Sequence, residues 1–356
     1  FARTATFNMG AAAFLSKYLT DLVDGQRAEG AFPDVAPTSD RLGGGNFGWG
    51  DVGVFLPWLL YEVYGDVRIL ERMYEPAKRW VEYRTKRAKE YLNTDWSFGD
   101  WVSPPPQAPN KVLSPMYHAH AARLLARMAH VLGKPAEAKA HEDLVEKIRA
   151  AWNKAFVRPD GTIESDTQAA YIIALRYDML PESLRPAAAA KLEAAIGRAN
   201  RHLGTGFLGT GNLLPSLTLA GKNELASELL LKETYPSWLY AHVAGLDNDP
   251  AVPGFRKVVV KPLLGGGLAS ARASYDSISG RVATAWKRDG KRFSLDVEVP
   301  VHATARVHVP TALPDSVKEG GKPAATARGV KPAGTEAGAA VFELESGKYR
   351  FTSELP

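Results

Sequence analysis

The chain has no cysteine among its 356 residues, which excludes disulfides, Cys-ligated zinc and thiol chemistry and leaves the redox compartment open. It also has no apolar run approaching the ~20 uncharged residues that a membrane-spanning helix needs, so no membrane partner is expected. Charge of one sign is never concentrated. The formal net charge of +5 and the pI near 9.1 arise from Lys and Arg interleaved with acids, as in Glu71-Arg72 and Glu146-Lys147. Without a basic stripe, nucleic acid is not an expected partner. Histidine is sparse: His118 and His120 have no third ligand at useful spacing, and His130, His141, His202 and His242 are dispersed, so no metal site is expected. No signal peptide precedes Phe1, and the first residue is not Met, so the compartment stays open between cytoplasmic and exported.

What is present is apolar periodicity, at 45% hydrophobic residues, enough for two domains with cores of their own. Spacings of three and four predict a helix over 2–23, then helices over 52–64 and 66–91 with a break near Pro76, and further helices ending at Gly133 and near Phe156. Four more are predicted over 165–177, 182–202, 208–219 and 223–232. Antiparallel helix pairs joined by alternately short and long loops point to an (α/α) toroid rather than a four-helix bundle.

Near Phe255 the period changes to two. Strands are predicted over 256–261, 269–276, 281–286, 292–299, 303–309, 339–344 and 348–352, with turns at Asp289-Gly290 and Ser346-Gly347. This predicts a helical domain over 1–246, a linker over 247–254 and an antiparallel β-sandwich over 255–356.

Two loops stand out from the helices, Phe47-Gly48-Trp49-Gly50-Asp51 and Phe98-Gly99-Asp100-Trp101. A large aromatic between glycines has little beside it to cover its ring. Indole faces stack on the C–H faces of sugars, and aspartates accept hydrogen bonds from vicinal hydroxyls, so the pair suggests a carbohydrate pocket. The alternative is that Trp49 and Trp101 are core aromatics and that Asp51 and Asp100 are helix caps or loop ties. Glu62, Glu71, Glu82 and Glu90 lie among basic neighbours on helices and read as solvated faces. Trp80, Trp152 and Phe156 read as core.

Six stretches in order resemble the bacterial alpha-L-rhamnosidases over essentially the whole chain. They are Ala31-Phe32-Pro33-Asp34-Val35-Ala36-Pro37, Gly48-Trp49-Gly50-Asp51, Phe98-Gly99-Asp100-Trp101, Thr205-Gly206-Phe207-Leu208-Gly209-Thr210, Thr234-Tyr235-Pro236-Ser237-Trp238, and Gly265-Gly266-Gly267-Leu268 with Ala271-Arg272-Ala273-Ser274-Tyr275-Asp276. The resemblance implies an (α/α)6 barrel, here incomplete, followed by a C-terminal β-sandwich. The implied activity is inverting hydrolysis of terminal alpha-L-rhamnose from glycosides or polysaccharides, without cofactor. It implies that Trp49 and Trp101 contact the sugar ring and its C6 methyl, with Asp51 and Asp100 as supporting polar groups and Asp34 in a proline-locked loop near the pocket.

The family's acid motif, of the Asp-Glu-Arg-Leu-Gly-Trp-Thr-Gly-Asp type, would lie before Phe1. The base segment normally follows Tyr235-Pro236-Ser237-Trp238, where this chain runs directly into Leu239-Tyr240-Ala241-His242. The resemblance therefore implies that both catalytic carboxylates are missing and that the chain is inactive or weakly active, with Glu233 the only nearby substitute for the base. A non-catalytic carbohydrate-binding or structural remnant is the alternative. A barrel short of helices is expected to expose the apolar faces of 208–219 and 235–246.

Overall fold

The computed structural model describes residues 2–38, 43–230, 246–249, 251–252, 254–262, 264 and 268–355. Helices occupy the first part: α1 (Ala2–Asn8), α2 (Ala12–Asp24), α3 (Val52–Tyr64), α4 (Val67–Arg87), α5 (Asn110–Val131), α6 (Pro135–Phe156), α7 (Gln168–Arg176), α8 (Arg185–Arg198), α9 (Thr210–Leu219) and α10 (Asn223–Leu230). Short connections fold them into hairpins. Between α3 and α4, Gly65 takes the left-handed conformation (φ 67°) that closes a helix, and Asp66 opens the next by accepting from Arg68 N at 3.0 Å.

Side-chain distribution sorts the helices into two layers. Helix α5 is buried almost all round, from Val112, Leu113 and Met116 to Ala126, Met128 and Ala129, whereas α4 buries one stripe, Ile69, Leu70, Met73, Tyr74, Ala77, Trp80, Val81 and Arg84. A helix apolar on all sides belongs inside, and a striped one outside. Accordingly α3 touches α5, α5 touches α7 and α7 touches α9, while α4, α6, α8 and α10 pack behind them. Because the layers alternate along the chain, the loops entering α3, α5 and α9 open at one end of the domain. The architecture is the helical-hairpin barrel expected from the periodicity.

Local departures have physical causes. The predicted helix over 2–23 is two, split at Met9-Gly10-Ala11. Phe7 turns to the second domain and meets Tyr275 edge-on at 5.5 Å, Leu15, Leu19 and Leu22 face the helical core, and Phe14 is left 73% exposed. The break expected at Pro76 is absent, since α4 runs through it. Met73, Tyr74, Ala77 and Trp80 are fully buried on either side, and that burial outweighs the roughly 3 kcal/mol a helical proline costs. Helix α4 instead stops at Arg87, before a turn in which Glu90 and Tyr91 have positive φ. The apolar face of α9 is less exposed than expected: Leu208, Leu213 and Leu217 are buried and Leu219 is exposed. Residues 235–245 of the second expected exposed face lie outside the described residues, as does Glu233. No described helix is long and apolar enough to cross a membrane.

The second part is two packed sheets. Strands β1 (Leu246–Asn248), β2 (Lys257–Val260), β3 (Ser270–Ser277), β4 (Gly280–Asp289), β5 (Arg292–Val299), β6 (Thr304–Pro310), β7 (Lys318–Glu319), β8 (Lys322–Pro323), β9 (Val330–Glu336), β10 (Ala339–Leu344) and β11 (Gly347–Glu354) form sheets ordered β1-β2-β6-β10-β9 and β3-β4-β5-β11-β7-β8. Alternation drives Val282 and Trp286 of β4, and Phe293, Leu295, Val297 and Val299 of β5, into one core. All pairs are antiparallel except β2 with β6, which run parallel with Lys257 opposite Thr304. The stretch read as a linker over 247–254 begins with most of β1, whose Asp247 pairs with Val259.

The two parts are joined closely. Val63 of α3 belongs to the sandwich core, and Gly254 N donates to Glu62 O at 2.9 Å. Glu62, expected on a solvated face, sits at this joint. It accepts from Trp58 Nε1 at 2.7 Å and lies 3.7 Å from Arg3, which also pairs with Asp247, and burial pushes its carboxyl up.

Candidate carbohydrate site

The loop entering α3 carries Trp49 between two glycines that the packing requires. A side chain on Gly48 (φ 80°) would fall 2.7 Å from Leu208 Cδ2, and one on Gly50 would fall 2.5 Å from the Trp80 ring. Trp49 is half-buried; its ring lies 4.8 Å from Phe98 and stacks on Phe207 at 5.5 Å and 22°. The loop entering α5 carries Trp101, 55% exposed, with its ring 6.4 Å from Phe98. Trp96, more exposed still, meets Phe98 at 5.0 Å. The two predicted tryptophans thus meet on Phe98, and five rings from three loops form one exposed aromatic strip.

The predicted aspartates face the other way. Asp51 stands at the N-cap position of α3 but has helical dihedrals and caps nothing. Its Oδ2 accepts from Gly48 N and its Oδ1 from Trp80 Nε1, each at 2.8 Å, because the turn and the buried indole both need an acceptor. Burial pushes this carboxyl up, opposed by the charge of Arg84 and by these two N–H groups. Arg84 is itself buried, over the rings of Trp80 (5.8 Å) and Phe47 (6.0 Å), and donates to Ser114 Oγ.

Asp100 accepts from Gly206 N at 2.8 Å, Leu208 N at 2.9 Å and Gly209 N at 2.8 Å. Burial raises its pKa against those three N–H groups. Asp34 is half-buried: Oδ2 accepts from Asn46 Nδ2 at 2.6 Å, three residues before Trp49, while the buried Oδ1 has no partner among the described residues. Burial raises this carboxyl too, with Asn46 and Arg27 opposing.

Trp96, Phe98 and Phe207 are the members of this aromatic strip that sequence reasoning missed. A signal existed: Gly206-Phe207-Leu208-Gly209 repeats the glycine-flanked aromatic of the Trp49 turn, and Trp96 and Phe98 share the loop of Trp101.

His118 and His120, the closely spaced pair, lie against the helical core. His118 Nε2 faces Thr85 Oγ1 at 3.1 Å, and since that hydroxyl donates to Val81 O at 2.8 Å, Nε2 carries the proton and Nδ1 is left bare. His120 stacks flat on Tyr177 at 3.9 Å. Among the described residues no group of three His, Asp or Glu side chains is placed to hold a metal.

Paired helical hairpins with an exposed aromatic strip on their entry loops, followed by a β-sandwich, define the class of helical-barrel proteins with an appended sandwich domain. The bacterial alpha-L-rhamnosidase 6 hairpin glycosidase domain matches residues 1–247 and the C-terminal domain of the same family matches residues 245–323, so the chain belongs to the bacterial alpha-L-rhamnosidase family.

An alpha-L-rhamnosidase of Streptomyces avermitilis is 38% identical over 395 residues, spanning 99% of this chain and 37% of the relative. One from Formosa agariphila is 30% identical, spanning 89% of this chain and 40% of the relative. The solved Streptomyces avermitilis enzyme, complexed with L-rhamnose, superposes with a TM-score of 0.93 at 37% identity, over 99% of this chain and 37% of that one. The enzyme from Dictyoglumus thermophilum gives 0.89 at 28% identity, over 99% of this chain and 44% of that one. The chain therefore spans less than half the length of these relatives.

Proposed function

We propose that this chain is the sugar-recognising part of an alpha-L-rhamnosidase, a glycoside hydrolase that releases terminal non-reducing alpha-L-rhamnose with inversion. The observation that carries the reading is the meeting of Trp49 and Trp101 on Phe98 at the open end of the helical barrel. A 6-deoxy sugar offers a methyl and ring C–H groups that suit such faces. The likeness to a rhamnose-complexed relative over nearly the whole chain supports it. Trp49 and Trp101 take the apolar face of the sugar, and Asp34, whose Oδ2 is tied to Asn46 three residues before Trp49, is the third candidate contact beside them. Asp51 and Asp100 act at one remove, holding loops rather than sugar.

Inverting hydrolysis uses one carboxylate to take a proton from the water attacking the anomeric carbon. A carboxylic acid about 6.5–9.5 Å away protonates the departing glycosidic oxygen. Asp51 and Asp100 are poor candidates for either task, since both oxygens of each already accept N–H donors. The match to the Streptomyces avermitilis relative runs over 395 residues, more than the 356 of this chain, in keeping with a segment of that relative having no counterpart here. We therefore assign this chain weak turnover or none.

The second reading, a non-catalytic sugar-binding remnant, is favoured by the same filled carboxylates. Calorimetry with L-rhamnose, alongside p-nitrophenol release from p-nitrophenyl alpha-L-rhamnoside, tests both. Binding with at most trace turnover is expected. Turnover that disappears in Glu233→Gln would restore a base to this chain, and absence of binding would remove the sugar site.

A further inference from the structure

We propose that Phe207 is the residue that selects the group attached to the terminal sugar, and that Asp100 is the positioning residue that holds it there. The inference rests on the assignment of Trp49 and Trp101 to the sugar. Those two rings meet on Phe98, and Phe207 stacks on Trp49 with 66% of its surface in solvent. Centroid steps of 6.4, 4.8 and 5.5 Å lead from Trp101 through Phe98 and Trp49 to Phe207, so a third exposed ring adjoins the two assigned to the sugar. A sugar between the tryptophans leaves Phe207 uncovered for whatever the sugar is linked to. Its ligand is a ring with an apolar face, either an aromatic alcohol or a second sugar.

A two-thirds exposed phenylalanine contributes little to the core, yet its loop is held by hydrogen bonds on both sides of it. Asp100 collects the N–H groups of Gly206, Leu208 and Gly209, and Phe207 N donates to Trp101 O at 2.8 Å. Thr210 Oγ1 returns to Gly206 O at 2.7 Å and meets Thr205 Oγ1 at 2.8 Å. A side chain on Gly206 would fall 2.2 Å from Trp101 O, so the loop carrying Phe207 and the loop carrying Trp101 are locked at fixed spacing. The buried neighbour Leu208 accounts for anchoring the loop to the core, but not for a phenylalanine held out in solvent beside it, and rigid placement of an exposed ring at a binding surface is what preorganised recognition requires.

The test compares three ligands, L-rhamnose, p-nitrophenyl alpha-L-rhamnoside and a rhamnosyl-glucose disaccharide, by calorimetry against the whole chain and its variants. Phe207→Ala, which removes an exposed ring, is expected to keep the melting temperature and the affinity for free L-rhamnose. It should weaken binding of a linked ligand five-fold or more, and Phe207→Tyr should restore it. Loss for the aryl glycoside alone identifies an aromatic partner, and loss for the disaccharide identifies a sugar.

Asp100→Asn, which can keep at most part of the three-donor set, should weaken the linked ligands at least as far as Phe207→Ala does, with free rhamnose affected less, and linked-ligand affinities equal to the parent's would remove Asp100 from the positioning role. Equal affinities of Phe207→Ala and the parent for both linked ligands overturn the assignment of Phe207. Equal weakening of free rhamnose overturns the idea of a separate subsite. If the parent chain binds none of the three, the underlying sugar-site reading has failed instead.

Discussion

Replacing the Asp51 carboxylate by an amide removes one of the acceptors that Gly48 N and Trp80 Nε1 need, in a position that is 1% exposed. A buried N–H left without a partner costs about 1–3 kcal/mol, and Arg84 loses its neighbouring counter-charge. Asp51→Asn is therefore expected to lower the unfolding free energy by that amount and to loosen the turn carrying Trp49. Trp49→Ala should by contrast weaken rhamnose binding more than it weakens the fold. Chemical denaturation beside rhamnose calorimetry separates the two, and a variant of Asp51 as stable as the parent would remove the carboxylate from this role.

His118 gives the pH dependence. Burial, with Arg84 adding to it, pushes its pKa down to about 3, from an ordinary value of 6.5. Between those values the unfolded chain takes up a proton that the folded chain refuses, so stability is lost as pH falls from about 6.5 toward 3, on the order of a few kcal/mol. His120, pushed down by burial and by Arg123, acts in the same sense. His118→Asn should flatten the fall of melting temperature with acidity; identical slopes in the two proteins would show that the ring is not the titrating group.

At the scale of the loops, Gly206 decides whether the Phe207 and Trp101 turns can approach. Three backbone atoms, Trp101 O, Asp100 O and Ser103 N, lie within 2.6 Å of where its side chain would be. Backbone cannot swing aside as a side-chain end can, so Gly206→Ala should cost about 1–3 kcal/mol or more as overpacking and separate the rings. Tryptophan fluorescence would register the separation. Unchanged emission and rhamnose affinity would mean that the loops are not locked.

The aromatic turns were legible in the sequence because glycine beside a large ring has few other uses, and the helices because burial imposes its period. Other features depend on long-range geometry. That Asp100 serves Gly206 and not α5 follows from contacts across more than a hundred residues, and the course of α4 through Pro76 follows from Met73, Tyr74, Ala77 and Trp80 being buried around it. The place of β1 was hidden because three residues next to acids and proline carry no period of their own; pairing with Val258, Val259 and Val260 makes it a strand.

Across the whole molecule the two domains share side chains rather than a tether. Phe255, 1% exposed, meets Tyr275 at 4.6 Å, Tyr275 meets Phe7 of α1 at 5.5 Å, and Val63 of α3 closes the same core. Arg3 spans Glu62 and Asp247 at its edge. Since α3 also carries the entry turn with Trp49, the joint ties sandwich stability to the helix beneath the sugar site. Unfolding of the parent is therefore expected to be a single cooperative transition. Phe255→Ala opens a cavity that costs about 3–5 kcal/mol and should split that transition into two, the sandwich melting first, with rhamnose raising only the second. Two independent transitions already present in the parent, or rhamnose shifting both equally in the variant, would show that the shared core does not couple the domains.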